Sequence, residues 1–220
     1  MYRLLFLVAA ATANTLVFNQ PGTYSFDSRD YDLPFTVELW GAGGGGTSFE
    51  STNPNLSQGG GSGAYIAIQI DIHDIFMITV GRGGSGDLSL DDCSCFDHCH
   101  TSGASNGGST SIFTNNGTIA IAEGGYAGST NVSVSYVYTD NTFINVIEIR
   151  DGELGINGWG GQPNAGSAGY YSMCSCTLPS SGKQPGGGGG GIIGNCDCMN
   201  NIAYIPACGS GANGSVSISG

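Results

Sequence analysis

Basic residues are scarce in this 220-residue sequence: lysine and arginine total 5, and Lys183 is the sole lysine, against 17 acidic residues. Phosphate backbones are held by lysine and arginine, so nucleic acid is excluded as a partner, and an anionic membrane surface is equally unattractive. Core-forming residues are also few. Leucine, isoleucine, valine and phenylalanine number 47 of 220, enough for a thin core only. No segment beyond the N-terminus is apolar for long enough to span a bilayer, and none repeats apolar residues at helical spacing. Seven prolines without a G-x-y period exclude collagen.

The N-terminal MYRLLFLVAAATAN sets a basic Arg3 before an apolar run over residues 4–11 and a small-residue site at Ala11-Thr12-Ala13. That order is the order of a secretory signal. Residues 1–13 are therefore expected to be removed on export, leaving residues 14–220 as a single glycine-rich β domain outside the cell. Acidity of this kind serves solubility.

Period-2 alternation recurs along the chain. It predicts strands over residues 15–19, 23–27, 35–40, 64–72, 75–80, 118–123, 132–138, 143–149 and 215–219, rich in β-branched and aromatic residues, and no helix. Between them lie glycine clusters such as GAGGGG, QGGGSGAY, GRGGSG and EGGYAGS, and a six-glycine run over residues 186–191; glycines number 40 in all. Such runs fit either a flexible linker or the extended polyproline II form, in which glycine packs where any side chain would clash. Cysteine pairs on both sides of the longest run favour packed segments.

Three short patterns have catalytic or ligand-binding counterparts. Gly41, Gly43 and Gly46 satisfy G-x-G-x-x-G, but the next residues, TSFESTNPNLSQGGG, cannot form the helix that a dinucleotide site requires. Gly103-Ala104-Ser105-Asn106-Gly107 matches the esterase elbow G-x-S-x-G, yet His73, His98 and His100 all precede it, against the chain order of that triad. Ser105 reads as a loop residue, with a secreted hydrolase as the weakest of the functional alternatives. The acidic DLSLDD over residues 87–92 lacks the spacing of a calcium hand loop. No cofactor and no resident metal are expected.

Eight cysteines, Cys93, Cys95, Cys99, Cys174, Cys176, Cys196, Cys198 and Cys208, are disulfide candidates in an exported chain. The competing reading is zinc held by CSCFDHCH, residues 93–100, which packs three thiols and two imidazoles together. Residues i and i+2 of an extended segment point to the same side, so Cys174 and Cys176 can face Cys196 and Cys198 across the glycine run. Non-reducing peptide mapping is expected to link these two pairs, with each bridge contributing about 3 kcal/mol under the loop-entropy model. Four free thiols in the exported protein, or stoichiometric zinc, would overturn that pairing. Asn55, Asn116, Asn131 and Asn213 stand in N-x-[ST] sequons and are glycosylation candidates.

In sequence and in order, FNQPGTYSFD, FTVELWGAGGGG, GGGSGAYIAIQI, FMITVGRGGSG, NGGSTSIF, AEGGYAG, PGGGGGGIIG and GANGSVSIS resemble the glycine-rich domain family. That family occurs in exported proteins of microbes and protists, in phage tail proteins and in the extracellular part of the anaplastic lymphoma and leukocyte receptor tyrosine kinases. The resemblance implies an all-β, jelly-roll sandwich of tumour-necrosis-factor-like type with polyglycine II-like loops. It implies a non-enzymatic module for structure, adhesion or protein binding, with no catalytic residues to carry over. The chain has no V-A-I-K strand, H-R-D loop or D-F-G, so no kinase chemistry comes with the resemblance. Tyr126, Trp159, Tyr170 and Tyr171 are candidate contacts to an extracellular protein partner, or to sugar rings in the alternative reading of a carbohydrate-binding module. Oligomeric state is left open.

Overall fold

The computed structural model describes residues 15–47, 59–86, 88–89, 101–128, 132–138, 142–155, 172–173, 181–190, 192–193 and 209–220. In chain order the strands are β1 (Thr15–Phe18), β2 (Gly22–Asp27), β3 (Phe35–Trp40), β4 (Tyr65–Ile70), β5 (Ile75–Val80), β6 (Leu88–Ser89), β7 (Thr101–Ser102), β8 (Thr110–Thr114), β9 (Gly117–Ala122), β10 (Ser135–Val137), β11 (Ile144–Arg150), β12 (Ser172–Met173), β13 (Ile192–Ile193) and β14 (Ser215–Ser219). Two five-stranded antiparallel sheets carry the fold: β1-β14-β3-β4-β11 and β10-β9-β8-β5-β2. The pairs β6/β7 and β12/β13 form separate two-stranded ribbons. All nine expected strand segments are strands, with ends that differ by a few residues. Alternation does not reveal β8, whose first residues are polar and follow on a glycine cluster, or the two-residue strands β6, β7, β12 and β13.

Alternation fixes which side of each strand faces inward. In β3, Phe35, Val37 and Leu39 are buried, and they pair with Ile70, Ile68 and Ile66 of β4, also buried. From the second sheet Phe26, Phe76, Ile78 and Ile112 close on them in one cluster, with the Phe35 ring centroid 5.8 Å from those of Phe26 and Phe76. The result is an all-β sandwich with a thin, continuous apolar layer. Among the described residues the helical content is one 3-10 turn, Ser28–Asp30, capped by the Asp27 carboxylate on the Arg29 backbone N–H. The Arg29 guanidinium hydrogen-bonds the same carboxylate and holds its pKa down at about 2. No helix of the described residues is long and apolar enough to cross a membrane.

One end of the sandwich runs into a second, glycine-built layer. Strands β3, β5 and β9 continue into residues 41–46, 81–86 and 123–126, while residues 59–64, 105–109 and 209–214 lead into β4, β8 and β14. An extended three-residue-per-turn helix makes no hydrogen bonds within itself, so its donors and acceptors all point sideways. Residues 41–46 show the consequence in full. Gly41 and Gly44 donate to Ala64 and Gly61, Ala42 and Gly45 to Gly108 and Ser105, and Gly43 and Gly46 to Ala212 and Gly209, at 2.8–3.1 Å. The donors thus visit three neighbouring segments in turn, with the period of three that the helix imposes. Their carbonyls meet three more: Ala42 accepts from Gly125, Gly43 from Gly84 and Gly44 from Gly189. Segment 41–46 is therefore buried at the axis of six others.

The packed reading of the run 186–191 holds over residues 186–190, which lie in this bundle: Gly63 donates to Gly186, Ala212 to Gly187, Gly60 to Gly189 and Gly209 to Gly190. Close approach is what demands glycine here. A Cβ on Gly43 would stand 2.0 Å from the Gly187 carbonyl oxygen, and one on Gly188 would stand 1.9 Å from that of Gly60.

Candidate functional site

With one end of the sandwich closed by glycine, the surfaces left among the described residues are its faces, its opposite end and its two lateral edges. At the β1/β2 edge Phe18 and Tyr24 lie ring to ring at 4.9 Å and cover the core. The opposite edge is built from β10 and β11, the end strands of the two sheets, which approach each other there.

Among the described residues, length mismatch leaves part of this edge uncovered. Ile144, Val146 and Ile149 of β11 pair with Ile70, Ile68 and Ile66 and so fall in the inward-facing rows, but β11 has seven residues and β10 only three. Val146 and Ile149 consequently remain 37% and 45% exposed. A β-bulge between Val146 and Glu148 adds Ile147 as an extra residue, 54% exposed. A bulge at an edge strand re-aims its side chain and interrupts the ladder. Phe143 precedes β11, and Val132, Tyr136 and Tyr138 flank or lie on β10, all exposed. Seven of the nine large exposed hydrophobics among the described residues thus fall within residues 132–149.

Five carboxylates stand on these strands or on the segments next to them. Glu148 lies on β11, Asp151 and Glu153 follow it exposed, Asp71 donates its N–H to the Phe143 carbonyl, and Glu123 accepts the Val134 N–H at 3.1 Å. The Glu123 charge also pushes the pKa of the Tyr136 hydroxyl up. Arg150 is the one cation on these elements, and it is ion-paired with Glu148. Its guanidinium also lies 5.6 Å from the centre of the Tyr65 ring, on the outer face of the first sheet. Tyr65 in turn packs on Trp40 at 5.1 Å and donates its hydroxyl to Glu38 at 2.8 Å. Burial, with that carboxylate as the next cause, raises the Tyr65 pKa.

Of the residues singled out in the sequence, those that the structure describes fall elsewhere. Tyr126 is half-buried in the glycine bundle, where its carbonyl accepts from Gly61. Trp159, Tyr170, Tyr171, all eight cysteines, Asn55, Asn131 and residues 1–13 lie outside the described residues. Asn116 is exposed at the β8/β9 hairpin. Asn213 is half-buried, and its side-chain oxygen accepts the Gly83 N–H at 3.0 Å, so that amide stitches the bundle together. The Ser105 hydroxyl accepts the Ser85 N–H at 2.8 Å and meets the Ser85 hydroxyl at 2.9 Å, within a glycine segment and not in a strand-to-helix elbow. The N–H groups of Gly41, Gly43 and Gly46 are all spent on backbone carbonyls, which leaves none of them to hold a pyrophosphate.

Sequence reasoning treated residues 132–138 and 143–149 as ordinary strands and missed the edge they form. The signal was present in FINVIEIR, where Ile147 breaks the alternation of its neighbours. No family model matches the chain, and no curated protein matches it.

Proposed function

We propose that this chain is a non-enzymatic extracellular module that docks a protein partner along the β10/β11 edge. The concentration of exposed apolar side chains in residues 132–149 carries this reading. Contiguous apolar surface rimmed by polar groups marks interaction sites, whereas singly scattered apolar residues need no explanation. The N-terminal signal pattern supports export, and the resemblance to the glycine-rich domain family supports binding or display over chemistry. In this reading the glycine bundle is the rigid base and the edge is the working surface.

Position-specific photocross-linking on the surface of the source cell tests the assignment. A benzophenone side chain at Ile147 is expected to capture a discrete protein, while the same group at Ile75, exposed on the second sheet, captures none. Equal yields at the two positions remove the edge from consideration. Substrate hydrolysis that disappears in Ser105→Ala would defeat the non-enzymatic assignment as a whole.

A further inference from the structure

Charge on the edge narrows the class of partner. Five carboxylates, those of Asp71, Glu123, Glu148, Asp151 and Glu153, stand on the two end strands or on the segments next to them, against the single Arg150 guanidinium, which is tied to Glu148. The whole chain repeats that imbalance, with a formal charge of −12. Two copies meeting at this edge would bring the same excess of negative charge face to face, and like-charge juxtaposition suppresses association. An apolar edge with carboxylates on and beyond its end strands is complementary to a segment that alternates apolar and basic residues.

Geometry defines how such a segment would lie. Among the described residues β11 pairs with β4 on one side and with no strand on the other, so alternate backbone N–H and C=O groups of this end strand face outward. Long apolar edges of this kind are templates for strand addition unless something blunts them. The bulge at Ile147 is the one interruption, and it divides β11 into two short stretches flanking a projecting side chain. We propose that an extended segment of another protein, apolar on one side and carrying lysine or arginine, lies along β11 with its apolar residues against Val146, Ile147 and Ile149 and its cations toward Asp151 and Glu153. This rests on the β10/β11 edge being a docking surface, and adds the extended form and the basic character of what docks there.

Two labelled, end-capped peptides titrated into the full chain and followed by fluorescence anisotropy test the inference: one alternates valine with lysine, the other valine with glutamate. The lysine peptide is expected to bind about tenfold or more tightly than the glutamate peptide and to weaken as salt is raised. Ile147→Lys with Ile149→Lys abolishes its binding. Asp151→Asn with Glu153→Gln, which leaves the apolar strip intact, weakens it about threefold or more. Equal affinity for both peptides, lost in the isoleucine variant, overturns the charge inference and leaves the edge as a docking surface. A dimer in sedimentation equilibrium that the same variant dissolves overturns it in favour of a second copy. Peptide binding that survives both variants sinks the inference and the docking edge together.

Discussion

Gly43→Ala lowers the melting temperature by about 6–12 °C, because forcing a methyl group into closed packing costs about 3 kcal/mol, and each kcal/mol shifts a domain of this size by about 2–4 °C. The added Cβ would lie 2.0 Å from the Gly187 carbonyl oxygen and 2.4 Å from its carbon. Both obstacles are backbone, so no side chain can swing aside. Retreat of segment 41–46 would stretch the bonds from Gly43 to Ala212 and from Gly84 to Gly43, both 2.8 Å. Gly61→Ala is the intermediate case: its nearest atom, the Glu153 carbonyl oxygen, lies at 3.1 Å, and a cost of about 1 kcal/mol is expected. Gly103 has nothing within 4 Å of a built Cβ, so Gly103→Ala restricts the unfolded chain alone and stabilises by about 0.4–1 kcal/mol. Thermal denaturation followed by circular dichroism ranks the three. If Gly43→Ala melts with the parent protein, the glycine segments are not packed at contact distance.

The graded series also bears on what the amino-acid sequence could reveal. Alternation was enough to locate the strands because each one must bury Phe35, Val37 and Leu39 or their equivalents on a single side. The packed role of the glycines was legible too, since runs of them flanked by cysteines make poor linkers. Their neighbours were not. Every glycine offers the same two backbone groups, so nothing local says that Gly46 donates to Gly209 or Gly60 to Gly189. Partner choice follows from which strand each segment extends, and strand order is a property of the whole chain. The edge was hidden for a related reason: Ile149 is apolar and correctly placed in an inward row, but it is exposed because β10 stops after three residues. Tyr126 shows the same dependence: how far it is covered is set by the segments packed around it, and it is half-buried.

Phe35→Ala is expected to cost about 3–5 kcal/mol, the usual penalty for emptying a buried aromatic site, and to lower the melting temperature by about 6–20 °C. Phe35 is fully buried, and Phe26, Phe76 and Tyr31 surround its ring with centroids at 5.8, 5.8 and 6.3 Å. Those rings belong to β2, β5 and the segment before β3, so no single neighbour can collapse into the void. Combining this change with Gly43→Ala asks whether the sandwich and the glycine bundle fold as one unit. The two positions sit eight residues apart along β3 and its extension, about 26 Å in an extended chain, and they share no contact. Their free-energy costs should therefore add to within about 0.5 kcal/mol. Six strands pass into the bundle without a break, so there is no boundary at which one layer could melt while the other stayed intact. A single calorimetric transition, moved by either substitution and moved furthest by both, is the expected result. Two transitions, with Gly43→Ala shifting one and Phe35→Ala shifting the other, would show that the bundle is a separately stable layer, and that strand continuity does not couple it to the apolar core.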